Sequence, residues 1–360
     1  NIQGWRTVRK IVVIESDDWG SIRMPSLETY QVLLKEGIKV DKCPYNRYDS
    51  LASDEDLNAL FEVLIKFRDQ HGNHPLITAN TIVANPDFDK IKDSGFNQYF
   101  YEPFTETLQR YPAHGKSFQT WKQGMHQNIF YPQFHGREHL NVNLWLKMLR
   151  SGSAESHLAF NNSLFGISTT ITTEKRKSYL AALDFEDISE LEWQKQMLAD
   201  GLDLFEKIFG FRSSSFIATN YTWQSDLEPI LAEQGVQYMQ GSGRQYQPSG
   251  SKPLLIKHML GSRNTSGQVY LTRNCFFEPS LDKHKDWVNS ALKEIAIAFF
   301  WHKPAIVSSH RLNFIGFIDP SNRLRNLAFF EDLLHEIINR WPDVEFMNTV
   351  QLGALINKSN

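Results

Sequence analysis

The sequence is poor in cysteine and has no long apolar segment, and both shortages exclude classes of protein. Only two cysteines occur among 360 residues, Cys43 and Cys275, so a disulfide framework and a C-x-x-C metal or redox motif are excluded. No apolar run reaches the roughly 18 residues of a membrane-spanning helix. The sequence begins at Asn1 without a signal-peptide pattern. It leaves the compartment open: we favour the cytoplasm, or a periplasmic or secreted location if a signal was trimmed.

A strong excess of charge of one sign is also absent. The formal net charge is -3, so the chain has no electrostatic footprint for nucleic acid or for an anionic membrane. Aromatic residues, in contrast, are abundant, with 25 Phe, 12 Tyr and 9 Trp. A Phe-rich core and a cleft whose rings stack on sugars both account for this abundance. The oligomeric state is not determined by any of these features.

Short apolar runs recur along the chain and alternate with helical patterns. The runs are KIVVIES, PLITAN, NQYFYE, NIFYPQFH, SSFIATN, GVQYMQ, QVYLTRNCF, PAIVSSH and VEFMNT. Apolar residues at helical spacing predict helices over 54–69, 188–208, 284–301 and 323–340. This alternation predicts an α/β fold, a distorted (β/α) barrel with mainly parallel strands that forms a single catalytic domain over residues 1–360. Residues 240–265, rich in Gly, Ser, Gln and Arg, are predicted to form a long loop or insertion.

Chemically capable side chains directly follow several of these runs. In barrels of parallel strands the active site lies at the carboxyl ends of the strands, which is where such residues would gather. The residues in question are Asp17, Asp18, Asn80, His135, Asn220, Tyr221, Asn274, Glu278 and His310.

The segment YPQFHGREHLN places two histidines four positions apart. On a helix or a tight helical turn, His135 and His139 would share one face and reach one metal ion. The same letters match H-x-x-E-H, the inverted zinc-protease signature, in which Glu138 would be the general base. That alternative needs the motif inside a helix, and it leaves ESDDWG and SSHRLNF unexplained.

Five segments in order along residues 11 to 310 resemble the motifs of the polysaccharide deacetylases, the NodB-homology or carbohydrate esterase family 4-like superfamily. The Asp17–Asp18 pair resembles the opening T-F-D-D motif, and His135-x-x-x-His139 resembles H-[ST]-x-x-H. FIATNYTW is similar to F-R-A-P-G-Y-S-W, DKHKDW loosely resembles the fourth motif, and IVSSH resembles the fifth. The chain would be a divergent member with the barrel of that family.

The resemblance implies a division of roles among these residues. Asp18, His135 and His139 would bind Zn²⁺, with Co²⁺ or Ni²⁺ as other candidates. Such a metal polarises a carbonyl and lowers the pKa of a bound water. Asp17 would be the general base and His310 the general acid, while the backbone N–H of Tyr221 would stabilise the oxyanion.

Three positions depart from the family pattern. Ile217 stands where the third motif has the Arg that orients the catalytic Asp, Gly136 replaces Ser or Thr in the second motif, and Glu15 is an additional acid that could pair with a basic group. Which arginine compensates is left open by the sequence, the candidates being Arg23, Arg137, Arg273 and Arg311.

The resemblance predicts a metal-dependent hydrolase that removes an N-acetyl group from an amino sugar of a glycan. Its partner would be a carbohydrate, and the identity of the sugar, the chain length and N- versus O-deacetylation stay open. A glycoside hydrolase using Asp17 and Glu278 as paired carboxylates is one alternative, and a non-catalytic carbohydrate-binding relative is another. Candidate substrate-binding residues are Trp19, Asn80, Asn220, Trp223, Asn274, Glu278 and Trp287, with Trp301 as a further candidate ring.

Overall fold

Strands and helices alternate along the chain. The computed structural model describes residues 3–250 and 252–359. In these residues the strands are β1 Lys10–Trp19, β2 Ile77–Ile82, β3 Ala84–Pro86, β4 Tyr101–Pro103, β5 Phe130–Gly136, β6 Ser215–Ile217, β7 Tyr238–Gly241, β8 Arg244–Gln247, β9 Leu254–Lys257, β10 Val269–Thr272, β11 Cys275–Phe276, β12 Ala305–His310 and β13 Val344–Met347. The α-helices are α1 Leu27–Lys35, α2 Pro44–Tyr48, α3 Asp54–Leu64, α4 Phe88–Asp93, α5 Phe104–Arg110, α6 Ser117–His126, α7 Val142–Arg150, α8 Ala154–Asn161, α9 Glu190–Phe209, α10 Glu228–Glu233, α11 Trp287–Phe300, α12 Pro320–Arg340 and α13 Thr349–Lys358.

The main sheet is parallel throughout and curls into a partial barrel. Its strand order is β10-β7-β6-β5-β2-β1-β12-β11, and β13 pairs with β1 beside this path. The expectation of a distorted (β/α) barrel is therefore confirmed. Because the strands are parallel, their carboxyl ends meet at one rim, where functional side chains gather.

The sheet's central strands are buried on both faces, which explains their continuous apolar runs. In β1 the residues Ile11–Ile14 are all at most 3% exposed, as expected where helices cover a parallel sheet. The four predicted helices correspond to α3, α9, α11 and α12. The longest of them, α12, packs Leu327, Phe330 and Leu334 into the large core beneath β1 and β12.

The strands at the two ends of the sheet's path are two halves of one predicted strand. Within the main sheet as the structure describes it, β10 pairs with β7, whereas β11 pairs with β12. The change occurs at two residues: Arg273 donates its backbone N–H to Gly241 O, and Asn274 donates its own to Ile306 O. The strand thus switches neighbours at Arg273, and the partial barrel has a seam there.

Two segments differ from the sequence-based expectation. In NQYFYE only the last residues form a strand, β4, which pairs antiparallel with β3 outside the main sheet. The segment 240–265, predicted as a long loop or insertion, contains the antiparallel hairpin β8–β9. Across the described residues, the helices all fall short of the length and apolar character needed to cross a membrane.

Candidate active site

Asp18, His135 and His139 converge at the carboxyl rim of the barrel. Their candidate ligand atoms all lie within 4.8 Å of one another, and all three side chains are buried. Asp18 Oδ1 lies 3.5 Å from Nε2 of His135 and 3.1 Å from Nε2 of His139. One carboxylate oxygen and two imidazole nitrogens form a donor set suited to Zn²⁺ and similar divalent cations.

The two histidines meet through a turn rather than along a helix, which corrects one expectation. His135 belongs to β5, and His139 lies in the irregular segment between β5 and α7. Gly136 permits the sharp bend with a φ of +134°. Because the H-x-x-E-H interpretation requires a helix, it is excluded here, and Glu138 instead pairs with Arg137 at 2.7 Å.

The orientation of His135 is fixed by the backbone of the third motif. Nδ1 of His135 lies 2.8 Å from the carbonyl oxygen of Ile217. Since a carbonyl only accepts, Nδ1 carries the proton, and Nε2 presents its lone pair toward Asp18. Ile217 therefore acts through its backbone, while its apolar side chain is buried.

Asp18 is held by a buried arginine that the sequence offered only as a general candidate. Arg23 Nη2 donates to Asp18 Oδ2 at 2.9 Å, which leaves Oδ1 facing the two histidines. Behind it, Asp49 lies 3.6 Å from Arg23 Nε and accepts two hydrogen bonds from Arg311. Burial opposes ionisation of Asp18, yet Arg23 and His139 hold the pKa of this carboxyl well below its usual value.

Asp17 is clamped by Arg273, the residue at which the edge strand changes partner. Arg273 Nη1 and Nη2 donate to the two oxygens of Asp17, both at 2.6 Å, and its Nε donates to Glu15 at 2.6 Å. Asn80 donates a further hydrogen bond to Asp17 Oδ1 at 2.7 Å. Although burial opposes the charge on Asp17, Arg273 lowers the pKa of this carboxyl.

Glu15 therefore has a structural partner. It lies on the same face of β1 as Asp17, because side chains two residues apart in a strand point the same way. Its second oxygen accepts a hydrogen bond from Thr349 Oγ1 at 2.7 Å. Burial raises the pKa of Glu15, although Arg273 opposes that shift.

His310 ends β12 and forms a dyad with Glu278. Nδ1 of His310 lies 2.6 Å from Glu278 Oε1, and Nε2 lies 3.9 Å from Asp17 Oδ2. Burial disfavours the imidazolium, but the Glu278 carboxylate outweighs it and raises the pKa of His310 to about 9. Tyr45 of α2 packs edge-on against the imidazole with ring centroids 5.4 Å apart, a contact that sequence reasoning missed.

Tyr221 lies at the site, but its backbone N–H is already paired. The N–H donates to Ala218 O at 3.0 Å, so it is not free to bind an oxyanion in this conformation. Its hydroxyl instead accepts from Arg273 Nη1 at 3.3 Å. The predicted oxyanion role of this N–H is corrected accordingly.

Three tryptophans predicted to contact substrate are core residues, since Trp19, Trp223 and Trp287 are all at most 8% exposed. Each indole N–H is paired: with Ser16 Oγ, Glu228 Oε1 and Asp282 O, respectively. A ring packed on both faces offers no surface for a sugar, so these predictions were wrong.

The remaining candidates fall into different places. Asn80 and Glu278 contact the side chains of Asp17 and His310 rather than an open surface. Asn274 stabilises the strand switch: its side-chain amide donates a hydrogen bond to Pro304 O and accepts one from the N–H of Ile306. Asn220 is exposed at the rim with a φ of +55°, a conformation that Asn tolerates.

Comparison with known proteins gives a likeness of fold. No protein-family model matches the chain, and no curated protein sequence matches it. A solved structure described as a "putative glycoside hydrolase/deacetylase" from Parabacteroides distasonis superposes with a TM-score of 0.51 at 10% identity, covering 99% of this chain and 74% of that one. A "putative polysaccharide deacetylase" from Mycobacterium smegmatis gives 0.47 at 10% identity, covering 99% and 93%.

A 4-α-glucanotransferase from Thermococcus litoralis gives a TM-score of 0.45 at 9% identity. The alignment covers 95% of this chain and 40% of that one. At these identities the likeness is one of fold alone. Function must therefore be argued from the side chains at the rim.

Proposed function

We propose that this protein is a metal-dependent hydrolase that removes an N-acetyl group from an amino sugar of a glycan. The observation that supports this most directly is the juxtaposition of two distinct clusters at one rim. Asp18, His135 and His139 form the metal-ligand set. The Asp17 carboxylate provides the base and the His310 imidazole provides the acid. Asp17 Oδ2 and His310 Nε2 lie 3.9 Å apart.

The ligand set fits a divalent cation on chemical grounds. His135 presents Nε2 because its Nδ1 is bonded to Ile217 O, and Asp18 presents Oδ1 because its Oδ2 is bonded to Arg23. Burial lowers the pKa of His139 to about 4, so its imidazole is neutral and able to ligate at physiological pH. A cation bound by these residues supplies Lewis acidity, which polarises an acyl carbonyl and acidifies water.

Asp17 and His310 then perform the proton transfers. Asp17 is ionised at neutral pH and accepts a proton from the attacking water. Arg273 and Asn80 keep the carboxylate in one orientation, which is the role that the family assigns to the missing Arg. His310, protonated below about pH 9, donates its proton from Nε2 to the departing amine.

The arrangement supports the glycoside hydrolase alternative less well. Its general acid would be a carboxylic acid with a raised pKa. Both oxygens of Asp17 are bonded to Arg273, and the oxygens of Glu278 are bonded to His310 and Asn313. Neither carboxylate is therefore available as a proton donor.

The test is to compare two products of the same reaction. Zinc-loaded protein is incubated with N-acetylated hexosamine oligosaccharides, and acetate and new reducing ends are measured in parallel, with Asp17→Asn protein as control. We expect acetate release without new reducing ends. Reducing ends without acetate would favour the glycosidase, and binding without either product would favour a non-catalytic carbohydrate-binding protein.

A further inference from the structure

A cavity lies at the seam of the barrel, beside the point where the edge strand changes partner. It has a volume of about 560 Å³, within the roughly 300–1,000 Å³ of typical small-ligand pockets. Tyr246 of the hairpin, Phe276 of β11 and Trp301 after α11 line it, and they are 38%, 40% and 39% exposed, respectively. We call this space the lateral cavity.

The lateral cavity and the candidate active site share a wall. Arg273 and Tyr221 line the cavity, and their side chains are joined by a hydrogen bond of 3.3 Å. The same Arg273 guanidinium binds Asp17. A ligand in the cavity therefore lies one side chain away from the proposed base.

The charges around the cavity do not favour a phosphate or another strong anion. Of the three cations that line it, Arg273 is neutralised by Asp17 and Glu15, and Lys303 donates to the carbonyl oxygens of residues 3, 4 and 5 at 2.7–2.9 Å. The guanidinium of Arg244 makes no hydrogen bond or ion pair with any of the described residues, and Glu294 adds one formal negative charge to the same lining. The lining is thus close to neutral.

Polar groups without hydrogen bonds to the described residues nevertheless line the same cavity as the aromatic side chains. Glu294 uses Oε2 to accept the N–H of Phe276 at 2.7 Å, and within the described part of the chain Oε1 has no hydrogen-bond partner. The side chain of Arg244 and the hydroxyl of Tyr246 are likewise without hydrogen bonds in residues 3–250 and 252–359. Half-exposed rings beside unpaired planar polar groups suit a neutral ligand with both apolar C–H faces and hydroxyls, which is the chemistry of a sugar ring.

We propose that the lateral cavity binds a sugar ring, namely a glycosyl unit of the same glycan whose acetamido group is processed at the rim. That the two sugars belong to one substrate rests on the proposed function, whereas sugar binding in the cavity does not. Trp301 and Phe276 supply apolar faces, and Arg244 and Glu294 bind hydroxyls. This assignment makes the protein an enzyme of oligomeric rather than monomeric sugars.

Binding is tested first, with variants of neighbouring residues. Trp301→Ala removes a ring of the cavity, whereas Phe300→Ala removes the preceding ring of the chain, which is 75% exposed and does not line it. The protein carries Asp17→Asn to prevent turnover, and β-1,4-linked N-acetylglucosamine trimer and maltotriose are titrated by calorimetry. We expect Trp301→Ala to weaken binding of at least one trisaccharide about tenfold, with Trp301→Phe close to the parent and Phe300→Ala unchanged.

Turnover is tested second, in the background with Asp17 intact. Acetate release from N-acetylglucosamine oligomers of one to four units should give kcat/KM that rises with chain length. Trp301→Ala should abolish that rise, so that kcat/KM no longer depends on chain length. Phe300→Ala should retain it.

The outcomes separate this inference from the proposed function. Trisaccharide binding that depends on Trp301 without acetate release keeps the cavity assignment and removes the deacetylase proposal. If Trp301→Ala protein releases acetate with the same chain-length dependence as the parent, the deacetylase proposal is kept and the cavity assignment is removed. Absence of both binding and turnover would overturn both.

Discussion

Arg273 donates two hydrogen bonds to Asp17, one to each carboxylate oxygen and both of 2.6 Å, across 256 residues of sequence. Asp17 comes from the end of β1 and Arg273 from the strand switch at the seam. The pair is buried, and the fork of the guanidinium fixes the carboxylate plane as well as its charge. The orientation of Asp17, the proposed base, is therefore set by the strand switch that places Arg273 beside it.

Arg273→Lys should retain the fold and lose most of the activity. Lysine keeps the positive charge but cannot make two parallel hydrogen bonds. We expect kcat to fall about 100-fold because the base is no longer held in its productive orientation. Zinc content, measured by atomic emission, should stay the same, since Arg273 does not contact Asp18, His135 or His139. Unchanged kcat would contradict the positioning role.

Arg273→Gln should also destabilise the protein. It removes the guanidinium that pairs the buried carboxylates of Asp17 and Glu15, a change that typically costs about 3–5 kcal/mol. The free energy of unfolding, measured at pH 7 by denaturant titration, should fall by that amount. Arg212→Gln is the control, because its partners Asp203 and Glu206 lie at the surface, where an ion pair contributes about 1 kcal/mol or less. Equal losses in both variants would contradict this account.

The two adjacent aspartates should respond differently to the same substitution. Asp18→Asn should lose zinc, because an amide is a poor ligand, and the φ of +73° is tolerated by Asn, so folding is preserved. Asp17→Asn should bind zinc normally and show no measurable turnover. Metal content after dialysis and acetate release distinguish the two. The same phenotype in both variants would show that the assigned roles are wrong.

The pH profile should reveal the His310–Glu278 dyad. His310 acts as an acid only while protonated, so with a pKa of about 9 the rate should fall as pH rises through about 9. Glu278→Gln removes the main charge that raises this pKa, while burial, which lowers it, remains. We expect the alkaline limb of kcat/KM to move down by about one to two pH units.

A surface carboxylate provides the control for this pH experiment. Glu331 is partly exposed and pairs with Lys66 away from the rim. Glu331→Gln should leave the alkaline limb in place. A limb that does not move in Glu278→Gln protein would mean that another group limits the reaction at high pH.

Gly20 should be needed for the shape of the metal site. It has a φ of +82°, and a Cβ there would lie 2.2 Å from the carbonyl oxygen of Ile82. Gly72 has almost the same φ, +81°, but a Cβ at that position would have no other atom within 4 Å. Gly72→Ala should therefore cost only the conformational strain, about 1–2 kcal/mol. Gly20→Ala should cost more and weaken zinc binding in a chelator competition, because the segment after Asp18 must shift.

The sequence by itself determined the alternation of strands and helices and the rim on which the reactive residues meet. Runs such as Ile11–Ile14 are apolar because both faces of a parallel strand are buried. The strand and its polar end can therefore be recognised from the local sequence. For the same reason Asp17, Asp18 and His310 could be located at strand ends from the sequence alone.

Only the tertiary structure decided which residues complete the site. Arg273 reaches Asp17 because the edge strand switches from β7 to β12, and Glu278 reaches His310 because β11, which precedes Glu278, pairs with β12. Such contacts depend on barrel closure, which no local pattern encodes. The three tryptophans were misassigned because the local sequence around a tryptophan does not distinguish an indole buried in the core from one that lines a cleft. Its burial is set by the elements packed around it.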